Sequence, residues 1–240
     1  MTTNTFLLVH GAWHGAWCWE KVIPHLRKEG HEVKTIDLPG HGLDKTPVSN
    51  VTLNAYTSRV CESLDSCKGQ VILIGHSMGG VVITQSGEYK PNKIKRLVYL
   101  TGFLLKNGQC LLDIVNEDSE ALVMRNAMLD EKTNSLSFRK GAVKEIFYSD
   151  CSDGDVHYAE SLLVPQAIAP FQTQVTTSEE KFGRIPRVYI ECLNDRAITP
   201  GTQKKMYEAS PCEKIISMKT SHSPFFSAPE ELAGNLLSII

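Results

Sequence analysis

The sequence predicts an α/β fold: a doubly wound, mostly parallel sheet with helices on both faces and a lid insertion. Three observations point there. Short apolar runs alternate with stretches of helical period, which is the rhythm of right-handed βαβ crossovers. The length, 240 residues with 42% hydrophobic and 22% charged, suits one full-sized domain with a substantial core. The turn Gly75-His-Ser-Met-Gly79 joins an apolar run directly to an apolar helical stretch.

The elements follow in order. Phe6–Val9 reads as a buried strand. Trp19, Val22, Ile23 and Leu26 give Trp19–Lys28 a helical spacing, with Pro24 marking a kink or a shifted boundary. Glu32–Asp37 is a second strand, closed by the turn Pro39-Gly-His-Gly42. Leu53–Leu64 is a helix, Val71–Ile74 a strand, Met78–Glu88 a helix and Leu97–Leu100 a strand. Residues 103–184 then break the rhythm. They hold amphipathic pieces such as Leu122–Leu129 and polar turns such as Asp150–Gly154, with no clear buried strand, and are expected to form the lid of a single domain spanning 1–240. The alternation resumes at Val188–Ile190, then a helix opening at Thr199 with Pro200 in its first position. Lys214–Met218 is the last strand. Ser227-Ala-Pro-Glu230 reads as a capping box opening the C-terminal helix.

Composition narrows the function. A net charge of −2 and a pI of about 6.4 leave no basic field for nucleic acid. The longest apolar runs are too short to span a bilayer, and the first residues lack the pattern of a secretory signal. Seven scattered cysteines, at 18, 61, 67, 110, 151, 192 and 212, form no C-x-x-C pair. They suggest neither a metal site nor a disulfide framework, and fit a reducing, cytoplasmic setting.

Ser77 carries the strongest chemical signal. In G-x-S-x-G between a strand and a helix, the glycines permit a sharp, strained turn that lifts the serine hydroxyl above the strand ends. An idle serine in a glycine-rich turn is the plain alternative. A serine hydroxyl needs an imidazole to take its proton and a carboxylate to orient that imidazole. Downstream of Ser77 stand only His157, inside the lid, and His222, in the loop after the last strand. His222 is the expected base. His76 lies in the elbow and points elsewhere; His25, His31 and His41 read as solvated or structural. Asp195 follows the penultimate strand and is the expected acid. Glu191 belongs to the strand body, Asn194 has no charge, and Asp150, Asp153 and Asp155 read as ordinary turn residues. For the oxyanion, the Met78 amide and the Ala12 amide, in the loop after the first strand, are the expected donors, with Gly11 leaving room for substrate.

These residues resemble the α/β-hydrolase superfamily. The carriers are His10-Gly-Ala-Trp-His-Gly-Ala-Trp-Cys-Trp19, Asp37-Leu-Pro-Gly-His-Gly42 and Gly75-His-Ser-Met-Gly-Gly80. More narrowly, they are similar to the methylesterase and hydroxynitrile lyase branch, with bacterial esterase relatives. The resemblance runs the length of the chain and is weakest over 103–184. The family's lyases carry Thr at the position of Gly11, Glu-Ser-Cys at His76-Ser77-Met78, and Lys at Ser223; none of these stands here. Losing the Lys charge removes the strongest local stabiliser of an anionic leaving group.

The resemblance therefore implies a serine esterase acting on a small carboxylic ester through an acyl-enzyme, with no metal or organic cofactor. The acyl group is expected against Phe103 and Leu104, with Met124, Met128, Phe147 and Phe171 as looser contacts that equally suit core packing. Three alternatives stay open: a hydroxynitrile lyase-type carbon–carbon lyase, a non-catalytic small-molecule binder, and cleavage of amides, thioesters or lactones by the same triad. A homodimer is compatible with the sequence, although no residue argues for one.

Overall fold

The computed structural model of the protein describes residues 3–139 and 141–240. Its strands in chain order are β1 (Thr5–Val9), β2 (Glu32–Ile36), β3 (Val71–His76), β4 (Ile94–Leu100), β5 (Ala127–Asp130), β6 (Ser135–Phe138), β7 (Gln166–Ala167), β8 (Arg187–Cys192) and β9 (Lys214–Met218). Six of them form one sheet in the order β2-β1-β3-β4-β8-β9, every neighbouring pair parallel. The central strands are continuous apolar runs because both faces are covered by helices. β3 is buried along its whole length, whereas the edge strand β9 shows most of its residues to solvent.

The strand order reverses between β1 and β3, which pair from Thr5 opposite Val71 to Val9 opposite Gly75. In a doubly wound sheet this reversal opens a crevice beyond the carboxyl ends of the strands. Here it sets the loop after β1 beside the turn after β3. The helix Gly79–Tyr89 leaves that turn and is buried on almost every side. A Cβ at Gly79 would stand 2.8 Å from the His10 carbonyl oxygen, so only glycine lets the helix start this close to β1. Across the face, Leu53–Asp65 is capped by the Thr52 hydroxyl, which accepts from the Ala55 amide at 3.1 Å.

Four expectations need correction. Trp19–Lys28 is not one helix: a 3₁₀ turn, Ala16–Trp19, precedes the helix Ile23–Lys28, and Pro24 sits in that helix's first turn, where its missing N–H costs nothing. Residues 103–184 do contain strands: β5, β6 and β7 form a small antiparallel sheet, too short to leave a clear apolar signature. The stretch Leu122–Leu129 is accordingly split between the helix Val123–Asn126 and β5. The segment Asp150–Gly154 is half turn and half helix start, since Ser152 caps Asp153–Leu162. Finally, no capping box forms at Ser227. That residue ends the short helix Pro224–Ser227, its hydroxyl has no partner among the described residues, and Pro229–Leu237 begins without a side-chain cap.

The segment between β4 and β8 is anchored to the body by polar contacts. Gln166 of β7 is fully buried and meets His41 Nε2 at 3.0 Å and the Tyr56 hydroxyl at 3.1 Å. Trp13 Nε1–H donates to the Leu136 carbonyl at 2.8 Å, and the Val164 amide donates to the Trp13 carbonyl at 3.0 Å. All seven cysteines are free thiols. Among the described residues, no helix is long and apolar enough to cross a membrane, and no group of three or more His, Cys, Asp or Glu is arranged to hold a metal ion.

Candidate active site

The ends of four parallel strands bring the expected residues together: β1 leads into Gly11 and Ala12, β3 into Ser77 and Met78, β8 into Asp195 and β9 into His222. Ser77 sits at φ +53°, in the left-handed region, and is held there from three sides. Its amide donates to the Leu100 carbonyl at 3.2 Å. Its own carbonyl accepts from the Gly80 and Phe103 amides at 2.9 and 3.0 Å. The strain is thus fixed by hydrogen bonds to two neighbouring segments.

Asp195 is 3% exposed, and its carboxylate is fully engaged. Oδ1 accepts from the Ala197 and Ile198 amides at 2.7 and 3.0 Å. Oδ2 accepts from His222 Nδ1–H at 2.6 Å and from the Thr101 hydroxyl at 2.5 Å. His222 is 1% exposed; with Nδ1 donating, its Nε2 carries the lone pair. His76 does not point away from the site, as the sequence suggested. Its Nε2–H donates to the His222 carbonyl at 2.9 Å, and the two rings lie 4.6 Å apart. Among the described residues Ser77 Oγ makes no hydrogen bond; it faces the cavity. Such contacts often tighten only when substrate arrives.

The loop after β1 is set by two imidazoles. His10 accepts from the Leu38 amide on Nε2 at 3.0 Å, so its Nδ1–H donates to the Gly11 carbonyl at 2.7 Å. A trans peptide is planar, with C=O and N–H on opposite sides, so this grip turns the Ala12 amide the other way. His14 Nδ1–H holds the Ala12 carbonyl at 2.7 Å, and the Tyr148 hydroxyl donates to His14 Nε2 at 2.6 Å. Among the described residues neither the Ala12 nor the Met78 amide has an acceptor. Burial drives all these rings neutral. Desolvation lowers His10, with His41 adding to it; desolvation brings His14 to about 3; desolvation and the facing His222 lower His76.

An apolar cavity of about 30 Å³ lies at Ser77, bounded among others by Ala12, Met78, Phe103, Phe147 and Phe171. Met124 also borders it, and Met128 does not. Two expected contacts are displaced. Leu104 is buried against a different cavity, shared with Lys106, Ile114 and Met206. Gly11 does not line the Ser77 cavity; its bare Cα backs onto Ser77, where a Cβ would stand 2.8 Å from the Ser77 Cβ. His157 is exposed on the helix Asp153–Leu162, and His41 and His31 are buried in structural hydrogen bonds, the second of the two readings the sequence allowed.

Sequence reasoning missed Thr101, His14 and Asp150. Asp150 is no ordinary turn residue. Its carboxylate accepts from the Ser221 amide at 2.7 Å and from the Ser221 hydroxyl, tying the inserted segment to the His222 loop. A polar residue directly after an apolar strand was a usable signal for Thr101. Nothing local marks Asp150, whose partner lies 71 residues away.

With this geometry in place, likeness to known proteins gains meaning. Residues 6–235 match the profile described as the alpha/beta hydrolase family. A relative from Arabidopsis thaliana named "Putative methylesterase 11, chloroplastic" is 34% identical over the whole of this chain, which spans 64% of that relative's length. A pyrethroid hydrolase from Sphingobium wenxiniae is 32% identical over 97% of this chain and 86% of its own. Among solved structures, polyneuridine aldehyde esterase superimposes with a TM-score of 0.91 at 26% identity, covering 99% of both chains. The chain belongs to the alpha/beta hydrolase family, in its methylesterase-like branch.

Proposed function

We propose that the protein is a serine esterase that cleaves small carboxylic esters through Ser77, His222 and Asp195. The observation that carries this reading is the buried Asp195–His222 pair, with Nδ1 donating at 2.6 Å, joined to the strained Ser77 turn by the His76 bond to the His222 carbonyl. Relatives named methylesterase and pyrethroid hydrolase support an ester-cleaving reaction. In the proposed mechanism, Ser77 Oγ attacks the ester carbonyl carbon while its proton passes to His222 Nε2. The carbonyl oxygen becomes an oxyanion facing the Ala12 and Met78 amides. The C–O bond to the alcohol then breaks, and the His222 proton leaves with that alcohol. Water, deprotonated by His222, attacks the acyl-enzyme and releases the acid and free Ser77. Asp195 keeps the imidazole in one tautomer and stabilises its charged form.

The lyase alternative fits less well. Thr at position 11, found in the family's lyases, would place its Cβ in the 2.8 Å gap already closed by Ser77. Residues 103–184 act in this reading as the lid over the cavity, and the described contacts of Phe147 and Phe171 support that role. The seven unpaired cysteines support a reducing compartment; the cytoplasm meets that condition, and so does the chloroplast named for the plant relatives.

The test is hydrolysis of p-nitrophenyl acetate by wild type and Ser77→Ala. Turnover should fall by about three decades or more in the variant. Equal rates in the two proteins, or cyanide release from mandelonitrile without ester turnover, would overturn the proposal.

A further inference from the structure

The cavity at Ser77, at about 30 Å³, holds little more than a water molecule or two. A second pocket of about 520 Å³, open to solvent, lies in the segment between β4 and β8, walled by Phe138, Val143 and Leu163 and also by the polar Arg139, His157 and Glu160. Among the described residues, Trp13 is the one side chain that borders both. Its indole packs edge-on against Phe138 of the outer cavity at 4.8 Å and against Phe171 of the inner one at 5.9 Å. Phe147, which closes the inner side, stands 5.8 Å away.

Trp13 is held in this place at some cost. It has φ +63°, a region that a bulky residue rarely enters. The indole N–H is fixed by the Leu136 carbonyl, and its own carbonyl by the Val164 amide. A strained backbone, a pinned ring and a 5% exposed side chain describe a wall, not a loose filler.

We propose that Trp13 is the specificity-determining residue of the site: its indole separates the Ser77 cavity from the outer pocket and confines the enzyme to esters with short acyl chains. Removing the indole joins the outer cavity to Ser77 and admits medium-chain aliphatic esters. This rests on the esterase reading above. Specificity of this kind is set by how many methylenes a pocket can take, each worth about tenfold or more.

The experiment compares kcat/KM for p-nitrophenyl octanoate and p-nitrophenyl acetate in wild type, Trp13→Ala and Trp13→Leu. Both variants are checked for a cooperative melt, so that Trp13→Leu carries the comparison if Trp13→Ala does not fold. The octanoate-to-acetate ratio should rise at least about tenfold in the variants. It should fall back when the outer cavity is plugged in the same background by Leu163→Trp. A ratio that stays at the wild-type value in a folded variant, or a rise that survives the plug, overturns the proposal. A binding arm keeps it separate from the esterase reading: octanoate affinity of Ser77→Ala, with and without Trp13→Ala, measured by calorimetry. Tighter binding without the indole supports the partition even if no ester is turned over; equal affinities refute it even if esters are.

Discussion

Thr101 Oγ1 and His222 Nδ1 donate to the same carboxylate oxygen of Asp195, at 2.5 and 2.6 Å. Thr101 sits at φ +36° just beyond β4, and its amide donates to the Ile190 carbonyl in β8 at 2.8 Å. The residue therefore bridges two strands and fixes the acid laterally, while the Ala197 and Ile198 amides fix its other oxygen. Asp195 can be buried as an anion because four donors replace the water it has lost.

That arrangement predicts the effect of Thr101→Val, which keeps the shape and deletes the hydroxyl. A hydrogen bond to a charged group is worth about 1.5–3 kcal/mol, and tenfold in rate corresponds to about 1.4 kcal/mol. The turnover number on a short ester should fall about ten- to a hundredfold with KM little changed. Steady-state kinetics check this; an unchanged kcat would mean that the amides alone orient the carboxylate.

His10 Nδ1–H holds the Gly11 carbonyl at 2.7 Å, so in the proposed mechanism it orients the oxyanion-facing Ala12 amide without touching substrate. Deleting an oxyanion donor costs about 10²–10³ in rate. His10→Ala releases the Ala12 amide without removing it, so kcat should fall about ten- to a hundredfold, again with KM nearly constant. His10→Asn, which retains a side-chain donor for the Gly11 carbonyl, should recover part of the loss. Matching defects in the two variants would argue for a packing role alone.

The buried histidines predict acid sensitivity. His14 is held near 3 against an ordinary value of 6.5, chiefly by desolvation, and His10, His41 and His76 are lowered in the same sense. Between about pH 3 and 6.5 the unfolded chain takes up protons that the native imidazoles refuse. Stability is therefore full above the unfolded value and declines as pH falls below it, by about 1.4 kcal/mol per pH unit for each such ring. Urea unfolding at pH 7, 6 and 5 should show this decline. His14→Gln should be less stable at pH 7 yet lose less on acidification, by about one proton's worth of slope. A wild-type curve flat from 7 to 5 would contradict it.

The sequence made the sheet and the strand-end positions of Ser77, Asp195 and His222 legible for one reason: both depend on local patterns. Short apolar runs such as Val71–Ile74, bounded by glycine turns, suit buried strands, and the expected site residues stand at the turns that follow them. The inserted segment was opaque because its strands are only two to four residues long, below the length at which alternation shows. Leu104 was misplaced because a side chain next to a strand end can turn to either side, and Cα order does not say which. Thr101, Asp150 and Trp13 matter through partners far along the chain, and such pairings have no periodicity to read.

One more consequence follows from the position of His222 beyond β9. His76 and His222 are 146 residues apart in sequence, yet their rings are in contact. During synthesis at about 5–20 residues per second, the Ser77 turn emerges on the order of ten seconds before His222. Under the proposed mechanism the nascent chain would for that interval hold a serine with no imidazole to activate it. Ester turnover would then begin only once the exposed edge strand docks. It would be a stricter gauge of completed folding than secondary structure, since a chain with β9 detached would keep most of its helices and lack the proposed base.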